Sequence, residues 1–364
     1  MRGFLAPLTF VRLCLFRRPL HRKLGIVLQI LSLPTTFSIT SIVILCLGTC
    51  SVLAEDNRLV QKSEGFRLIE KVQAAGLNKT FTGTALFETS GAARRMSNIS
   101  QGKVGGETKR KVVSMSKRHV VEIYFNNTLE QYFPAKKLVM ISKVSRAGFP
   151  NIFSGDPSHI INYYDFFRKT DLDSVIAKKQ TQAYELVPKD RLRWKLRIWI
   201  DVDSALPTSV EYIDSDESVI KREAFTSLNI GTSNIDMDST IVSGKTWRKF
   251  FVSRYENEKE SVFYEEPVEG FRLVNCFDSK FHRSGKVSAD PDYNQNHCLF
   301  SDGVAHVSLV AFYEREPNVY FRVGNWTKGC SSFKSGIVSN RSVISFGCVP
   351  KETVQVFFNN SVVR

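Results

Sequence analysis

Alternation of apolar and polar residues marks several stretches of this chain as β-strands. It is clearest over residues 192–200, where every second residue is apolar and three of the residues between them are cations. A side-chain period of two places one face of a strand against a core and the other in solvent. Similar alternation predicts strands over 80–88 and 119–125, a hairpin over 209–228, and further strands after residue 269.

The polar face of the strand over 192–200 carries Arg193, Lys195 and Arg197, and Arg191 precedes it. Cations on one face of a strand are usually solvated, and a solvated face is our interpretation. Docking of an acidic partner or of lipid phosphates is the alternative, because clustered cations attract anions.

Helical spacing of apolar residues is found near the two ends of the strand-rich region. Apolar residues over 59–72 predict a helix that ends before Gly76, which suits the position after a helix end. A short helix is predicted to begin at Pro350. Many strands and few helices place the chain in the α+β class.

The first 54 residues have the layout of an export signal. They hold six Lys or Arg and no Asp or Glu, and the apolar run over 39–47 is followed by Val52-Leu53-Ala54. Small residues at the positions read by a signal peptidase predict cleavage after Ala54. Lipid attachment at Cys50 and an uncleaved membrane anchor are the alternatives.

Removing the leader changes the charge of the protein. The formal net charge of +14 falls to +8, since 44 basic residues remain against 36 acidic ones. This charge permits attraction to an acidic partner or to anionic lipid headgroups. No nucleic-acid partner is expected.

Four of the seven cysteines lie in the last quarter of the chain, at Cys276, Cys298, Cys330 and Cys348. In an exported protein, four such cysteines predict two disulfides, and three pairings are open. Zinc binding is the alternative, but the chain has no Cys-x-x-Cys pair.

Motifs for catalysis are missing from the sequence. The six histidines form no metal-binding pair, and the chain has no Gly-x-Ser-x-Gly, phosphate-loop or dinucleotide-binding motif. We therefore expect a binding protein that is not an enzyme and needs neither cofactor nor metal. Large apolar residues on strands predict either a filled core or an apolar cavity for lipid chains.

The periodic pattern is lost over 232–245, which we interpret as a linker. The sequence thus predicts an export signal or anchor over 1–54, a first domain over 55–231 and a second domain over 246–364.

Short motifs in a fixed order resemble the RseB/MucB family of periplasmic regulators of sigma-E signalling. They are Tyr-Tyr-Asp-Phe at 163–166, Ala-Tyr-Glu-Leu-Val-Pro-Lys-Asp at 183–190, Leu-Phe-Ser-Asp-Gly-Val at 299–304 and Phe-Gly-Cys-Val-Pro at 346–350. The chain departs from the family pattern at Cys348 and in a long loop over 278–296.

The resemblance implies an N-terminal LolA-like half-open antiparallel β-barrel with helices, and a smaller C-terminal antiparallel sheet domain with a terminal helix. It also implies a periplasmic protein that binds an RseA/MucA-type anti-sigma factor and protects it from site-1 proteolysis. Lipopolysaccharide or lipoprotein acyl chains would release it. A lipid or lipoprotein carrier without a regulatory partner is the alternative, and formation of a homo-oligomer is left open.

Two sets of site residues follow from these expectations. Phe87, Phe125, Leu196 and Ile198 occupy the apolar phases of predicted strands and are expected to line the lipid cavity. The partner-binding residues are expected to be Phe300, Ser301, Asp302 and Gly303.

Overall fold

The computed structural model describes residues 58–116, 119–143, 148–231, 247–252, 262–264, 268–281, 293–312 and 323–363. The predicted export signal and the predicted linker lie outside these residues, and the division into domains stays a prediction. The described residues belong to one compact unit. Within the described part, no helix is both long enough and apolar enough to cross a bilayer.

A large sheet dominates the first part of the described chain. Its strands are β1 (Arg58–Leu59), β2 (Phe81–Thr89), β3 (Arg95–Val104), β4 (Glu107–Ser114), β5 (Val121–Phe125), β6 (Thr128–Phe133), β7 (Leu138–Lys143), β8 (Tyr164–Ile176), β9 (Lys179–Pro188), β10 (Lys195–Asp201), β11 (Pro207–Ile213), β12 (Val219–Ile230) and β13 (Arg248–Val252). Among the described strands the order is β1-β8-β9-β10-β11-β12-β2-β3-β4-β5-β6-β7-β13. Neighbours are antiparallel except β13 and β7, and the two end strands do not pair, so this part of the sheet does not close into a barrel.

Two helices accompany this sheet, α1 (Lys62–Asn78) and α2 (Pro157–Tyr163). Ile69 of α1 and Ile160 of α2 are fully buried in one core with Phe81 of the sheet. Helix α1 runs through Gly76 to Asn78, three residues past the end that the sequence predicts just before Gly76. A Cβ there would lie 2.3 Å from the side-chain oxygen of Asn151, so glycine permits this close approach.

A second, smaller sheet follows, as expected. Its strands are β15 (Arg272–Phe281), β16 (Tyr293–Ser301), β17 (His306–Phe312), β18 (Gly324–Lys328), β19 (Ser331–Val338) and β20 (Arg341–Gly347), in the order β15-β16-β17-β20-β19-β18. The terminal helix α3 (Lys351–Asn359) buries Val354 and Phe357 against it. A short pair joins β14 (Val262–Tyr264) to β21 (Ser361–Val363). The predicted α+β class is confirmed, with a large, mostly antiparallel sheet and a smaller antiparallel one.

Two disulfides hold the second sheet. Cys276 and Cys298 face each other on β15 and β16, with their Cα atoms 4.1 Å apart. Cys330 and Cys348 join the turn before β19 to the residue after β20, with a Cα separation of 4.8 Å. The structure thus selects one of the three pairings that the sequence left open.

The stability of the second sheet is expected to depend on His297 in mildly acidic solution. Burial lowers the pKa of this imidazole from 6.5 to about 4. Between these values the unfolded chain binds a proton that the folded chain does not, so stability is lost as the pH falls. Lowering the pH from about 7 to about 5 should cost about 2 kcal/mol through this group alone.

The measurement is urea unfolding of the protein and of His297→Phe at both pH values. The variant keeps an aromatic ring beside Phe346, which lies 6.2 Å from His297 between ring centroids. The pH-dependent loss should shrink by about 2 kcal/mol in the variant. Equal losses in the two proteins would contradict the assignment.

Candidate functional site

A buried ion pair joins the two sheets. The Nε atom of Arg193 lies 2.6 Å from Oδ2 of Asp302, and neither side chain has any solvent exposure. The same guanidinium donates a hydrogen bond to the carbonyl oxygen of Glu269 at 2.8 Å and pairs with Asp190. A buried charge is tolerated only where partners replace the lost water. Arg193 therefore fixes the end of the first sheet to the second.

Aromatic groups surround this pair. The Tyr164 hydroxyl donates to Oδ2 of Asp302 at 2.9 Å. Burial raises the pKa of Tyr164 far above its ordinary value, and the carboxylate of Asp302 raises it further, so the hydroxyl keeps its proton. The Arg193 guanidinium also lies over the rings of Tyr163 and Phe271, at 4.8 and 4.7 Å from their centroids. Both contacts favour the charged guanidinium.

The turn that carries Asp302 is shaped by its own side chain. Oδ1 of Asp302 accepts the backbone N–H groups of Val304 and Ala305, at 2.8 and 2.7 Å. Gly303 has φ +98°, and a Cβ there would lie 2.5 Å from the carbonyl oxygen of Ser154. The backbone N–H of Ser154 donates to the Gly303 carbonyl at 2.7 Å. Only glycine suits this turn.

Two more hydrogen bonds connect the segment before β10 to the second sheet and its helix α3. The Trp194 indole N–H donates to the carbonyl oxygen of Cys330 at 2.9 Å, and the Thr353 hydroxyl donates to that of Leu192 at 2.7 Å. We call the contact surface made by Tyr164, residues 192–194 and residues 302–303 the junction.

The structure places the four predicted partner-binding residues inside the protein. Phe300 packs edge-on against Phe357 in the core of the second sheet, and the Ser301 hydroxyl donates to the Ala305 carbonyl. Asp302 and Gly303 belong to the junction. All four are buried. A direct contact of these residues with a partner stays a prediction, and it would require the junction to open.

The interpretation of Arg193 as a solvated cation is wrong, because the side chain is buried. Lys195 pairs with Glu217, and Arg197 lies 2.6 Å from Glu185 on the neighbouring strand. Arg191 is exposed. Lys195 and Arg197 thus have carboxylate partners within this chain, and the docking of an anion on this face stays a prediction.

A cavity of about 540 Å³ lies beside the C-terminal half of α1. Its other walls are β3, β4, the β5–β6 hairpin and the loop over 151–155. Of the predicted lipid-binding residues, Phe125 lines this cavity. Leu196 and Ile198 lie in the core, and Phe87 packs against that core. The structure therefore does not bring these four together here, and their contact with lipid stays a prediction.

Arg110 forms the floor of the cavity and caps α1. It is 2% exposed, and its Nη2 atom donates to the carbonyl oxygen of Gly76 at 3.0 Å. Gln101 Nε2 donates to the same carbonyl, and the Thr108 hydroxyl donates to that of Leu77. The last carbonyls of a helix need such donors, and a cation there complements the helix dipole.

Comparisons with known proteins agree with this architecture. Residues 65–244 match the MucB/RseB N-terminal domain family. The chain is similar to MucB in the MucA/MucB complex of Pseudomonas aeruginosa, with 16% identity and a TM-score of 0.60 over 80% of this chain and 95% of that one. The chain is also similar to a crystal structure of MucB, with 15% identity and a TM-score of 0.61 over 83% of this chain and 98% of that one.

A further structure, MucB in complex with MucA(peri), shares 16% identity with a TM-score of 0.60 and covers 82% of this chain and 99% of that one. At these identities the likeness shows the fold. Among curated proteins, none matches the sequence.

Proposed function

This chain belongs to the MucB/RseB family, and from that premise we propose that it is a periplasmic, non-catalytic regulator that binds a MucA-type anti-sigma factor. The observation that carries the proposal is its likeness to MucB in complex with MucA over four fifths of its length. Bound in this way, the protein would shield the anti-sigma factor from site-1 proteolysis.

Exposed apolar residues on the outer strand β15, next to the predicted partner-binding segment, favour this edge of the second sheet as the docking site. Leu273 on β15 pairs with Phe300 and is 57% exposed, and Val274 beside it is 40% exposed. The register shifts between Leu273 and Asn275, which is a bulge. Exposed apolar residues on an outer strand are a common place for a partner segment to bind. We therefore place the anti-sigma contact on Leu273 and Val274.

Release by lipid or lipoprotein is the second part of the proposal. A ligand shifts a partner equilibrium only if it binds the free and the partner-bound forms with different affinities. The junction supplies an element through which such a difference can act, because it connects the first sheet to residues 302–303. A lipid that favours an altered junction would thus weaken partner binding.

The test is calorimetric titration of the protein with the periplasmic segment of the anti-sigma factor from the same genome. We expect saturable binding that Leu273→Asp weakens at least tenfold, since the variant places a charge in an apolar contact. Ile337→Asp is the matched control, because Ile337 is 50% exposed on β19 of the same sheet. Added lipopolysaccharide should reduce binding.

Absence of partner binding would overturn the regulatory proposal. Lipid binding without partner capture would instead indicate a carrier. Equal losses in Leu273→Asp and Ile337→Asp would leave the partner identity standing and contradict the docking place.

A further inference from the structure

The cavity beside α1 has the size and the stable shape of a small-molecule site. Its volume of about 540 Å³ lies within the usual range, which is about 300–1,000 Å³. Its floor is held by hydrogen bonds within the protein, since Arg110 donates to Gln101, to the Gly148 carbonyl and to Asn151. Such a floor keeps its form whether or not a ligand is bound.

Carboxamides are the most numerous polar side chains of the wall. Six line the cavity: Gln73, Asn78, Gln101, Asn126, Asn127 and Asn151. A carboxamide both donates and accepts hydrogen bonds, and so does a hydroxyl group. Tyr124 and Phe125 add aromatic surface to the same wall. Carboxamides beside aromatic rings suit a ligand that carries many hydroxyl groups and a C–H face.

The wall is poorly suited to an anion or an acyl chain. The guanidinium of Arg110 is engaged by oxygen atoms of the protein, and Lys103 donates to Thr108 at 2.8 Å. Glu107 adds a negative charge to the same wall. An acyl chain would remove water from the exposed carboxamides of Asn126 and Asn127 without replacing its hydrogen bonds, at a cost of about 1–3 kcal/mol each.

The wall is also unsuited to an added peptide strand. Strands β3, β4 and β5 each pair with a neighbour on both sides, so none offers a free edge for main-chain hydrogen bonds. A compact ligand is favoured over an extended one.

We propose that this cavity binds a neutral saccharide of one or two rings. The loop over 151–155 then connects the ligand to the junction, because it lines the cavity and Ser154 donates its backbone N–H to the Gly303 carbonyl at 2.7 Å. An effect of the saccharide on partner binding rests on the proposed function, whereas saccharide binding itself does not.

The experiment is calorimetric titration of the protein with N,N′-diacetylchitobiose and with maltose, together with ¹⁵N-resolved NMR of the side-chain amides. We expect saturable binding of at least one disaccharide. Asn127→Gly removes a carboxamide and keeps the left-handed turn at φ 58°. Leu77→Trp places a larger side chain at an exposed helix residue that lines the cavity. Each should weaken binding at least fivefold.

Matched controls separate a local effect from a general one. Asn340→Gly is the control for Asn127→Gly, because Asn340 also has a left-handed backbone, with φ 66°, and lies in the second part of the chain. Leu59→Trp is the control for Leu77→Trp, because Leu59 is 57% exposed and Leu77 is 56% exposed. Both controls should bind as the unchanged protein does.

Absence of saturable binding by both disaccharides would overturn the proposal, and so would equal weakening in the variants and their controls. Tighter binding of decanoate, or of a capped tetra-alanine peptide, to the same residues would identify another ligand class and also overturn it. Titration of the same samples with the anti-sigma segment tests the proposed function separately, because partner binding can succeed or fail whatever the saccharide result.

Discussion

Replacing Asp302 with alanine is expected to lower the free energy of unfolding by about 3–5 kcal/mol, since it removes the fully buried carboxylate that pairs with Arg193 and leaves only the partly exposed carboxylate of Asp190. The pair has no solvent exposure, so water cannot replace the lost partner. The Tyr164 hydroxyl loses its acceptor as well. Urea unfolding followed by circular dichroism measures the change.

Two comparison variants make the prediction specific. Arg58→Met breaks an exposed ion pair with Glu64, whose side chains are 61% and 49% exposed, and it should change stability by less than about 1 kcal/mol. The double variant Arg193→Met with Asp302→Leu replaces both charges by apolar groups and should recover part of the loss. A loss for Asp302→Ala no larger than for Arg58→Met would show that the pair is unimportant.

The junction also explains where reasoning from the sequence succeeded and where it failed. The alternation over 192–200 correctly predicts strand β10, but the strand begins at Lys195. Residues 192–194 lie outside the sheet because Arg193 bonds to Asp302 and Trp194 bonds to Cys330. These partners lie 109 and 136 positions later in the chain. No local pattern encodes partners so distant. The sequence nevertheless holds one indication of this pair. Asp302 lies in an apolar stretch, and a carboxylate that is buried there needs a cation as its partner.

Arg110 was overlooked for a similar reason. It stands between Lys109 and Lys111 on β4, which makes it look like one more surface cation. Its burial depends on the carbonyl oxygen of Gly76, 34 residues earlier, at the end of α1. Strand phase alone gives the face on which a residue lies, whereas the packed helix decides which polar residues on that face are enclosed.

The site predictions show the same limit. Leu196 and Ile198 follow the apolar phase of β10 as predicted, yet an apolar phase describes a filled core as well as a cavity wall, and both lie in the core. The cavity instead takes its walls from carboxamides around α1 and from a hairpin turn at Asn126 and Asn127. Turn residues carry no periodicity, so the sequence pattern did not reveal them.

Loss of the Cys330–Cys348 disulfide is expected to lower the free energy of unfolding by about 3 kcal/mol, because the unfolded chain regains the entropy of a loop of this length. The cysteines are 18 residues apart. The Cys276–Cys298 disulfide closes a loop of similar length, with a separation of 22 residues, and its loss should cost a similar amount. Urea unfolding of Cys330→Ser/Cys348→Ser and of Cys276→Ser/Cys298→Ser measures both.

The two double variants should differ at the junction. The Cys330 carbonyl accepts the Trp194 indole N–H, and a Cβ on the preceding Gly329 would lie 2.2 Å from Thr89 of the first sheet. The disulfide therefore holds a turn of the second sheet against the first.

We expect the Trp194 indole N–H to shift in ¹⁵N-resolved NMR and to exchange faster with solvent in Cys330→Ser/Cys348→Ser, while Cys276→Ser/Cys298→Ser leaves it unchanged. An unchanged Trp194 signal in both variants would mean that hydrogen bonds and packing hold the junction without the disulfide. A changed Trp194 signal in Cys276→Ser/Cys298→Ser would mean that the junction depends on the whole small sheet and not on this one turn.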